Sequence, residues 1–176
     1  ENICIQNDVS FAYKCLVNDI VMRNGHYEIY FKDDNTVVKS KVVINAAGLW
    51  SHKIANKILN ENKYEIEYYK GDYFKTTQIQ NMNCLIYPIP SKLSLGVHAI
   101  LNLNGEVFFG PNIYKVNTIE YSTTNKFKKL FLESANNLLS FKIDSIYRDY
   151  SGIRPKLKNG DDFIITEEPS LKKFYN

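Results

Sequence analysis

Several absences already limit what this chain does. Its 176 residues contain no apolar run approaching the ~18 residues that a helix needs to span a bilayer. The cysteines are Cys4, Cys15 and Cys84, and they form no C-x-x-C motif and no metal-like spacing with the three histidines. We therefore expect no transmembrane segment and no metal site. A reducing, cytoplasmic location fits best, and peripheral association with a membrane stays open.

Positive charge is not concentrated anywhere. The chain carries 22 basic and 19 acidic side chains, a net charge of +3, and both signs are spread along it. Proteins that bind nucleic acids usually cluster their basic residues. The short run NKFKKL at 125–130 is better explained as the solvated side of a helix. We therefore do not expect a nucleic-acid partner.

Glycine is scarce as well, with 8 residues in the chain. The dinucleotide fingerprint G-x-G-x-x-G is absent, and the closest pair of glycines is Gly105 and Gly110. The sequence therefore lacks the primary loop that binds a pyrophosphate.

What the sequence does contain is the string VVINAAGLWSHKIA at 42–55. An apolar strand runs into Gly48 and then into a helix for which Ser51 is the predicted N-cap. A residue without Cβ beside a helix N-terminus suits a phosphate group. The alternative is a buried connection between strand and helix whose small residues allow close packing, with Trp50 as a packing plug.

The rest of the pattern predicts an α+β fold. Turns at Asn24-Gly25, at KDDN (32–35) and at Asn104-Gly105 separate short strands. Residues 125–139 have apolar positions at helical spacing, which predicts a helix packed on a sheet. Strands of a mostly antiparallel sheet are predicted for EIEYYKGDYFKTT, CLIYPIP, LGVHAILNL and EVFFGPN. A further strand is predicted for DDFIIT at 161–166.

Four strings then occur together: VVINAAGLWSHKIA, YYKGDYF, LIYPIPSKLSLGVHAILNLNGEVFFGPN and YSGIRPKLKNGDDFII. In their order and spacing they resemble the FAD-dependent oxidoreductases of the D-amino-acid oxidase superfamily, and most closely the L-2-hydroxyglutarate dehydrogenase group. The resemblance covers residues from about 12 to 166. It implies a flavoprotein with FAD as cofactor, in which a substrate domain of antiparallel sheet is inserted between the pieces of an α/β FAD-binding domain.

The resemblance also implies a division of the chain. Residues 1–62 correspond to part of the FAD-binding domain, 63–148 to the substrate-binding domain, and 149–176 to the start of the return to the FAD-binding domain. Val17 corresponds to a position that contacts the adenine side of FAD. Ala46, Ala47 and Gly48 correspond to positions near the dinucleotide.

The family's glycine-rich segments, one upstream and one downstream, are missing from this sequence. We therefore expect a fragment, one half of a split gene or the product of a decaying gene, and FAD binding by this chain alone stays open. Two functions follow. One is oxidation of a small 2-hydroxy acid such as L-2-hydroxyglutarate, or of an amino acid, by hydride transfer to flavin in a dehydrogenase or oxidase. The other is a non-catalytic remnant, or a subunit that needs a partner chain for the FAD loop.

Arg154 in the string GIRP is the strongest candidate for substrate binding. A planar guanidinium holds a carboxylate with two parallel hydrogen bonds, and the family resemblance implies this role. The alternative is a structural salt bridge to Asp149, Asp161 or Asp162.

Other residues are further candidates for the site. His98 in GVH suits a general base that takes the substrate hydroxyl proton, although a lone histidine on a strand is more often a core residue. Tyr73 and Tyr87 are candidates for hydrogen bonds to substrate or flavin, with cross-strand packing as the alternative. Lys70 and Lys156 are weaker candidates for a second carboxylate, since most lysines are solvated.

Overall fold

A computed structural model describes residues 1–89, 96–160 and 162–176. Within these residues the chain forms helices and strands whose order is as follows. They are α1 (Asn2–Ile5), β1 (Val17–Arg23), β2 (His26–Phe31), β3 (Asp34–Ser40), β4 (Val43–Ile44), α2 (Ser51–Leu59), β5 (Ile66–Thr76), β6 (His98–Leu101), β7 (Val107–Gly110), β8 (Tyr114–Val116), α3 (Lys128–Leu138), β9 (Tyr147–Leu157), β10 (Glu167–Glu168) and β11 (Leu171–Tyr175). The α+β class expected from the sequence is confirmed, because helices accompany mostly antiparallel sheets.

The chain divides into two compact units. The first unit contains Glu1–Glu65 and the described residues from 162 onward, and the second contains Ile66–Gly160. The sequence placed a boundary after residue 148, but β9 pairs with β5 along most of its length and so belongs to the second unit. The roles of the two units in binding FAD and substrate remain predictions.

In the first unit, β1, β2 and β3 form an antiparallel meander. Asn24 and Gly25 make the predicted two-residue turn, with φ of 50° and 77°. Positive φ at both central residues gives a type I′ turn, whose twist matches that of the strands. The predicted turn at 32–35 is also present, because β2 ends at Phe31 and β3 begins at Asp34.

A second small sheet in the same unit has the order β10-β11-β4, and β11 runs parallel to β4. Its core combines Tyr27 of the meander with Val43 and Phe174, and Ile54 of α2 packs against this cluster. The Tyr27 hydroxyl donates a 2.7 Å hydrogen bond to the Lys172 carbonyl, which ties the meander to β11.

The second unit is built around β5. One edge of β5 pairs with β9, and the other edge pairs with β8 and then with β7, which in turn pairs with β6. Helix α3 occupies most of the predicted 125–139 range and is preceded by a 3₁₀ turn at Asn125–Phe127. The Phe131 ring of α3 lies 4.7 Å from the Phe74 ring, which places the helix on one face of the sheet.

Two predicted strands do not form. In CLIYPIP only Ile86 makes a bridge, to Ala99, because prolines remove donors from a strand; Pro90 and 91–95 lie outside the described residues. In DDFIIT the residues from 162 to 165 have no strand assignment, and Phe163 is 90% exposed. Backbone pairing there begins only at Thr166, which exchanges two 3.0 Å hydrogen bonds with Asn176. An apolar run needs a partner strand to become a strand, and the sequence does not reveal that partner.

Candidate active site

The two faces of the β5 sheet differ in exposure. Alternate side chains of a strand point to opposite faces. The buried set packs under α3 or its neighbouring loops and consists of Lys70, Asp72, Phe74 and Thr76. The other set is only partly buried, and we call its side of the sheet the open face; in β5 it consists of Tyr69, Gly71, Tyr73 and Lys75.

Strand register decides which residues share the open face, because directly paired residues point to the same side. Arg154 pairs with Tyr69 across β9 and β5. On the other edge, Phe108 pairs with Lys75, and His98 pairs with Gly110 two positions further along β7. Arg154 and His98 therefore lie on the same face of one sheet.

His98 is held in a defined orientation. The residue is 9% exposed. Its ring stacks on Tyr87, with centroids 4.5 Å apart and planes inclined by 23°. Nδ1 lies 3.2 Å from the Gly96 carbonyl oxygen. A carbonyl only accepts, so this hydrogen bond requires a proton on Nδ1 and leaves a lone pair on Nε2 of the neutral ring.

Gly110 brings Tyr73 beside this histidine. Its φ is +149°, and a Cβ there would lie 2.7 Å from Tyr73 Cδ1 and 2.7 Å from the Asp72 carbonyl oxygen. The Tyr73 ring therefore packs directly over the backbone of Gly110, the residue paired with His98. Only glycine permits this approach.

Tyr150 was missed by the sequence reasoning. Its ring stacks on Tyr73 with centroids 4.4 Å apart, and it also makes an edge contact with Phe108 at 5.7 Å. Burial raises the pKa of Tyr73 above its usual 10.0, and the charge of Arg154 opposes that rise. Every second residue of a strand points to the same face, so positions 150, 152 and 154 share one face. This periodicity was the signal in the sequence that could have identified Tyr150.

Arg154 is exposed and forms no ion pair with any carboxylate in the part of the chain that the structure describes. Of the alternatives, Asp149 pairs with Lys75 at 3.0 Å, and Asp162 Oδ1 accepts a hydrogen bond from the Phe163 backbone N–H. Asp161 lies outside the described residues. Salt bridges from Arg154 to Asp149 and Asp162 are therefore not formed, and the substrate role of Arg154 stays a prediction.

The two lysine candidates lie on opposite faces of the sheet. Lys156 shares the open face with Arg154, and its Nζ lies 5.2 Å above the Tyr69 ring centroid. Lys70 points to the opposite face, where its Nζ donates to the carbonyls of Glu120, at 2.8 Å, and Ser122. Lys70 is therefore a structural residue, and its candidacy as a substrate ligand is wrong, because it faces the interior.

Asp72 is a second residue that the sequence reasoning overlooked. It is completely buried; its Oδ2 accepts a 3.0 Å hydrogen bond from the Tyr114 hydroxyl, while Oδ1 has no partner among the described residues. Burial raises the pKa of Asp72, and it also raises that of Tyr114, to about 12. The Asp72 backbone N–H donates to Asn112 Oδ1 at 2.8 Å, which fixes the β7–β8 connection against β5.

The predicted cofactor corner lies in the first unit. Gly48 is exposed with φ of +56°, and a Cβ there would meet no atom within 4 Å. Ala46 is exposed and Ala47 half-buried, so this backbone is open to a ligand. Gly48 begins a 3₁₀ turn that leads into α2. Small residues, an accessible backbone and a helix start fit a phosphate-bearing cofactor.

Two details of this corner differ from the sequence prediction. Ser51 is the first residue of α2 rather than its N-cap, because its hydroxyl donates back to the Gly48 carbonyl at 2.9 Å. Trp50 is 50% exposed and does not act as a packing plug. Val17 lies at the start of β1, in a groove whose other wall includes Lys53 and Ile54 of α2.

Residues 2–176 match the family DAO, described as FAD dependent oxidoreductase. The chain belongs to this family. Among curated relatives, mitochondrial L-2-hydroxyglutarate dehydrogenase from Arabidopsis thaliana is 32% identical over 147 residues, covering 72% of this chain and 30% of the relative. Glycerol 3-phosphate dehydrogenase from Caloramator mitchellensis is 28% identical over 176 residues, covering 98% of the chain and 36% of the relative.

The chain thus spans about a third of the length of these DAO relatives. Among solved structures, L-α-glycerophosphate oxidase from Mycoplasma pneumoniae with FAD bound superposes with a TM-score of 0.81 at 22% identity, covering 97% of this chain and 46% of that one. This likeness confirms the DAO fold.

No group of three His, Cys, Asp or Glu side chains in the described ranges is placed to hold a metal ion. No helix within those ranges is long and apolar enough to cross a membrane.

Proposed function

We propose that this chain is the substrate-binding part of a DAO-family enzyme that oxidises a small 2-hydroxy acid, with L-2-hydroxyglutarate as the first candidate. The observation that carries the proposal is the shared open face of the β5 sheet, on which Arg154, Tyr73 and His98 all lie. The Arabidopsis relative supports the substrate class by its name.

Arg154 binds the substrate carboxylate. Its guanidinium has no ion-pair partner among the described carboxylates, so substrate binding breaks no salt bridge with them. Two parallel hydrogen bonds fix the carboxylate and thereby the position of the adjacent C2 carbon. Lys156, on the same face, is available to a second carboxylate.

His98 takes the proton of the C2 hydroxyl. The Gly96 carbonyl fixes the proton on Nδ1, which leaves Nε2 as the acceptor. Stacking on Tyr87 prevents the ring from turning away. Tyr73 and Tyr87 contribute hydroxyl groups that hydrogen-bond to the substrate or the flavin.

A bound FAD would supply the hydride acceptor for C2 of the substrate. In this chain the backbone of Ala46, Ala47 and Gly48 would hold part of the dinucleotide, and Val17 would contact its adenine side. A partner chain supplies the glycine-rich loop if the 176 residues do not retain FAD by themselves. In that case the chain is a subunit or a remnant.

Oxidation of a phosphorylated alcohol is the second candidate. The Caloramator relative, named glycerol 3-phosphate dehydrogenase, aligns over nearly the whole chain. A phosphate also accepts two parallel hydrogen bonds from a guanidinium, so Arg154 suits either anion. An amino acid is a third substrate class, because its carboxylate would bind in the same way.

The deciding experiment has two stages. The purified chain is incubated with excess FAD, freed of unbound cofactor and examined for a flavin absorption band. Bleaching of that band is then followed with L-2-hydroxyglutarate, glycerol 3-phosphate and an amino acid such as glycine under anaerobic conditions. Reduction by L-2-hydroxyglutarate that is lost in Arg154→Met supports the proposal.

Two other results would change the assignment. Reduction by glycerol 3-phosphate alone moves the substrate to the second class. A folded chain that retains no flavin favours the subunit or remnant, and the same assay is then repeated after adding a protein that carries the missing segment.

A further inference from the structure

Gly152 lies in the interior of β9, where no contact with the described residues requires a glycine. Its φ is outside the left-handed region, so any residue would adopt this backbone conformation. A Cβ added there would meet no atom within 4 Å. The residue is exposed on the open face, where it pairs with Gly71.

The other glycines near this site are explained by their neighbours. A Cβ on Gly71 would lie 2.5 Å from Pro111 Cβ, and one on Gly110 would lie 2.7 Å from Tyr73 Cδ1. Glycine inside a strand weakens it and often marks a place where a ligand or another backbone approaches closely. Gly152 has no such neighbour among the described residues, and the register shift of β9 against β5 comes only beyond Ser151, so the space over Gly152 is open to a group from outside the described residues.

Its position suggests what that group is. Same-face residues of a strand are about 6.6 Å apart, because each residue advances about 3.3 Å. Gly152 therefore lies one step from Arg154 on one side and one step from Tyr150 on the other. Pro111 stands over the paired Gly71 and closes the neighbouring position. The open space over Gly152 is bounded by a guanidinium, an aromatic stack and a proline.

We infer that Gly152 is a specificity-determining residue, over which lies the carbon chain of an acid whose carboxylate is bound by Arg154. This inference rests on the proposed function. A methyl group at position 152 would occupy the space that the acid needs, and one methylene group in a binding pocket changes affinity by about 10-fold to 200-fold. Larger acids should lose more affinity than the smallest 2-hydroxy acid, because they extend further over this position.

The test measures binding apart from turnover. Calorimetric titration in anaerobic buffer with excess reduced FAD, which accepts no hydride, gives the Kd of L-2-hydroxyglutarate and of glycolate for the full chain, and thermal unfolding gives the ligand-free Tm. The variants are Gly152→Ala, Gly152→Val and, as matched control, Gly160→Ala, which adds the same methyl group beside the flexible Leu157 side chain.

We expect Gly152→Ala to weaken L-2-hydroxyglutarate binding about 10-fold and Gly152→Val about 100-fold, with a smaller loss for glycolate. The ligand-free Tm should stay level or rise, since alanine and valine favour a strand over glycine. Gly160→Ala should leave both affinities unchanged.

Other outcomes would overturn either this inference alone or the proposed function as well. Unchanged affinity in Gly152→Val overturns this inference and leaves the proposed function standing. A lower ligand-free Tm in Gly152→Ala with unchanged affinity also overturns it, because the space then serves chain packing. If the unsubstituted chain binds neither acid, the proposed substrate class fails and this inference fails with it.

Discussion

Tyr87 and His98 lie ring against ring, 4.5 Å apart between centroids, although Tyr87 belongs to no strand. The bridge between Ile86 and Ala99 holds the two segments together, with backbone hydrogen bonds of 3.0 and 2.9 Å. A ring fixed in this way keeps one orientation, which a general base needs.

Replacement of His98 should therefore affect the rate more than binding. We expect His98→Gln to lower the rate of flavin reduction by a factor of about 100 to 10,000, because the proton acceptor is lost, while the Kd for substrate changes little. Stopped-flow reduction at several substrate concentrations separates the two effects. His26→Gln, the same change in the other unit, is the control and should keep the full rate. A large rise in Kd with an unchanged limiting rate would contradict the assignment of His98 as base.

Replacement of Arg154 should affect substrate binding more than the rate of flavin reduction. We expect Arg154→Met to weaken binding of the acid by about 1.5–3 kcal/mol, the usual value of hydrogen bonds to a charged group. The free energy of unfolding should hardly change, because Arg154 is exposed and forms no ion pair with the described carboxylates. Titration calorimetry and urea unfolding measure the two quantities. Arg148→Met, on the same strand, is the control for loss of a guanidinium; an unfolded Arg154→Met protein would favour a structural role for Arg154.

Glu168 should stabilise the first unit in a pH-dependent way. Its side chain is buried and accepts hydrogen bonds from Lys63, at 2.6 Å, Tyr64 and Asn176. Burial pushes the pKa of Glu168 up, but these hydrogen bonds outweigh it and hold the pKa below 4.5. A carboxyl with a lowered pKa stabilises the fold at pH values above its unfolded pKa, and this contribution disappears as the pH falls through its folded pKa.

We therefore expect Glu168→Gln to lower the free energy of unfolding by about 1–2 kcal/mol at neutral pH, a figure reduced by the partial exposure of Lys63. The difference from the unsubstituted chain should shrink as the pH is lowered below 4.5. Urea unfolding at a series of pH values checks this. Glu133→Gln on the exposed side of α3 should have almost no effect. A difference that grows at acid pH would show that the sign is wrong.

Asp72 and Tyr114 should show the reverse pH dependence. Burial raises the pKa of Asp72 in the folded protein, while the Tyr114 hydrogen bond and the Lys70 charge oppose the rise. A carboxyl with a raised pKa destabilises the fold as the pH rises from its unfolded pKa through its folded pKa. Asp72→Asn should therefore keep or increase the free energy of unfolding at neutral pH, since the amide still accepts the Tyr114 hydrogen bond without a buried charge.

Tyr114→Phe, in contrast, leaves both Asp72 oxygens without a described donor and should cost about 1–3 kcal/mol. Thermal and urea unfolding of both variants at neutral pH gives the comparison. Tyr121→Phe, half-exposed in a loop of the same unit, is a suitable control. If Asp72→Asn proves the more damaging of the two, the charge of Asp72 stabilises the fold, which contradicts this prediction.

The sequence by itself determined several local features. The Asn24-Gly25 turn follows from residues that tolerate positive φ, and α3 follows from apolar positions at helical spacing. The corner at Gly48 followed from the same local chemistry, and the family strings indicated the DAO fold before any contact was known.

Only the tertiary structure decided which side chains meet. The register of β5 against β9 puts Tyr69 beside Arg154 and turns Lys70 toward the interior, and a slip of one residue would exchange those faces. The Tyr73–Tyr150 stack and the empty space over Gly152 depend on the same pairing. Strand pairing joins residues far apart in the chain, so no local pattern around either residue contains this information.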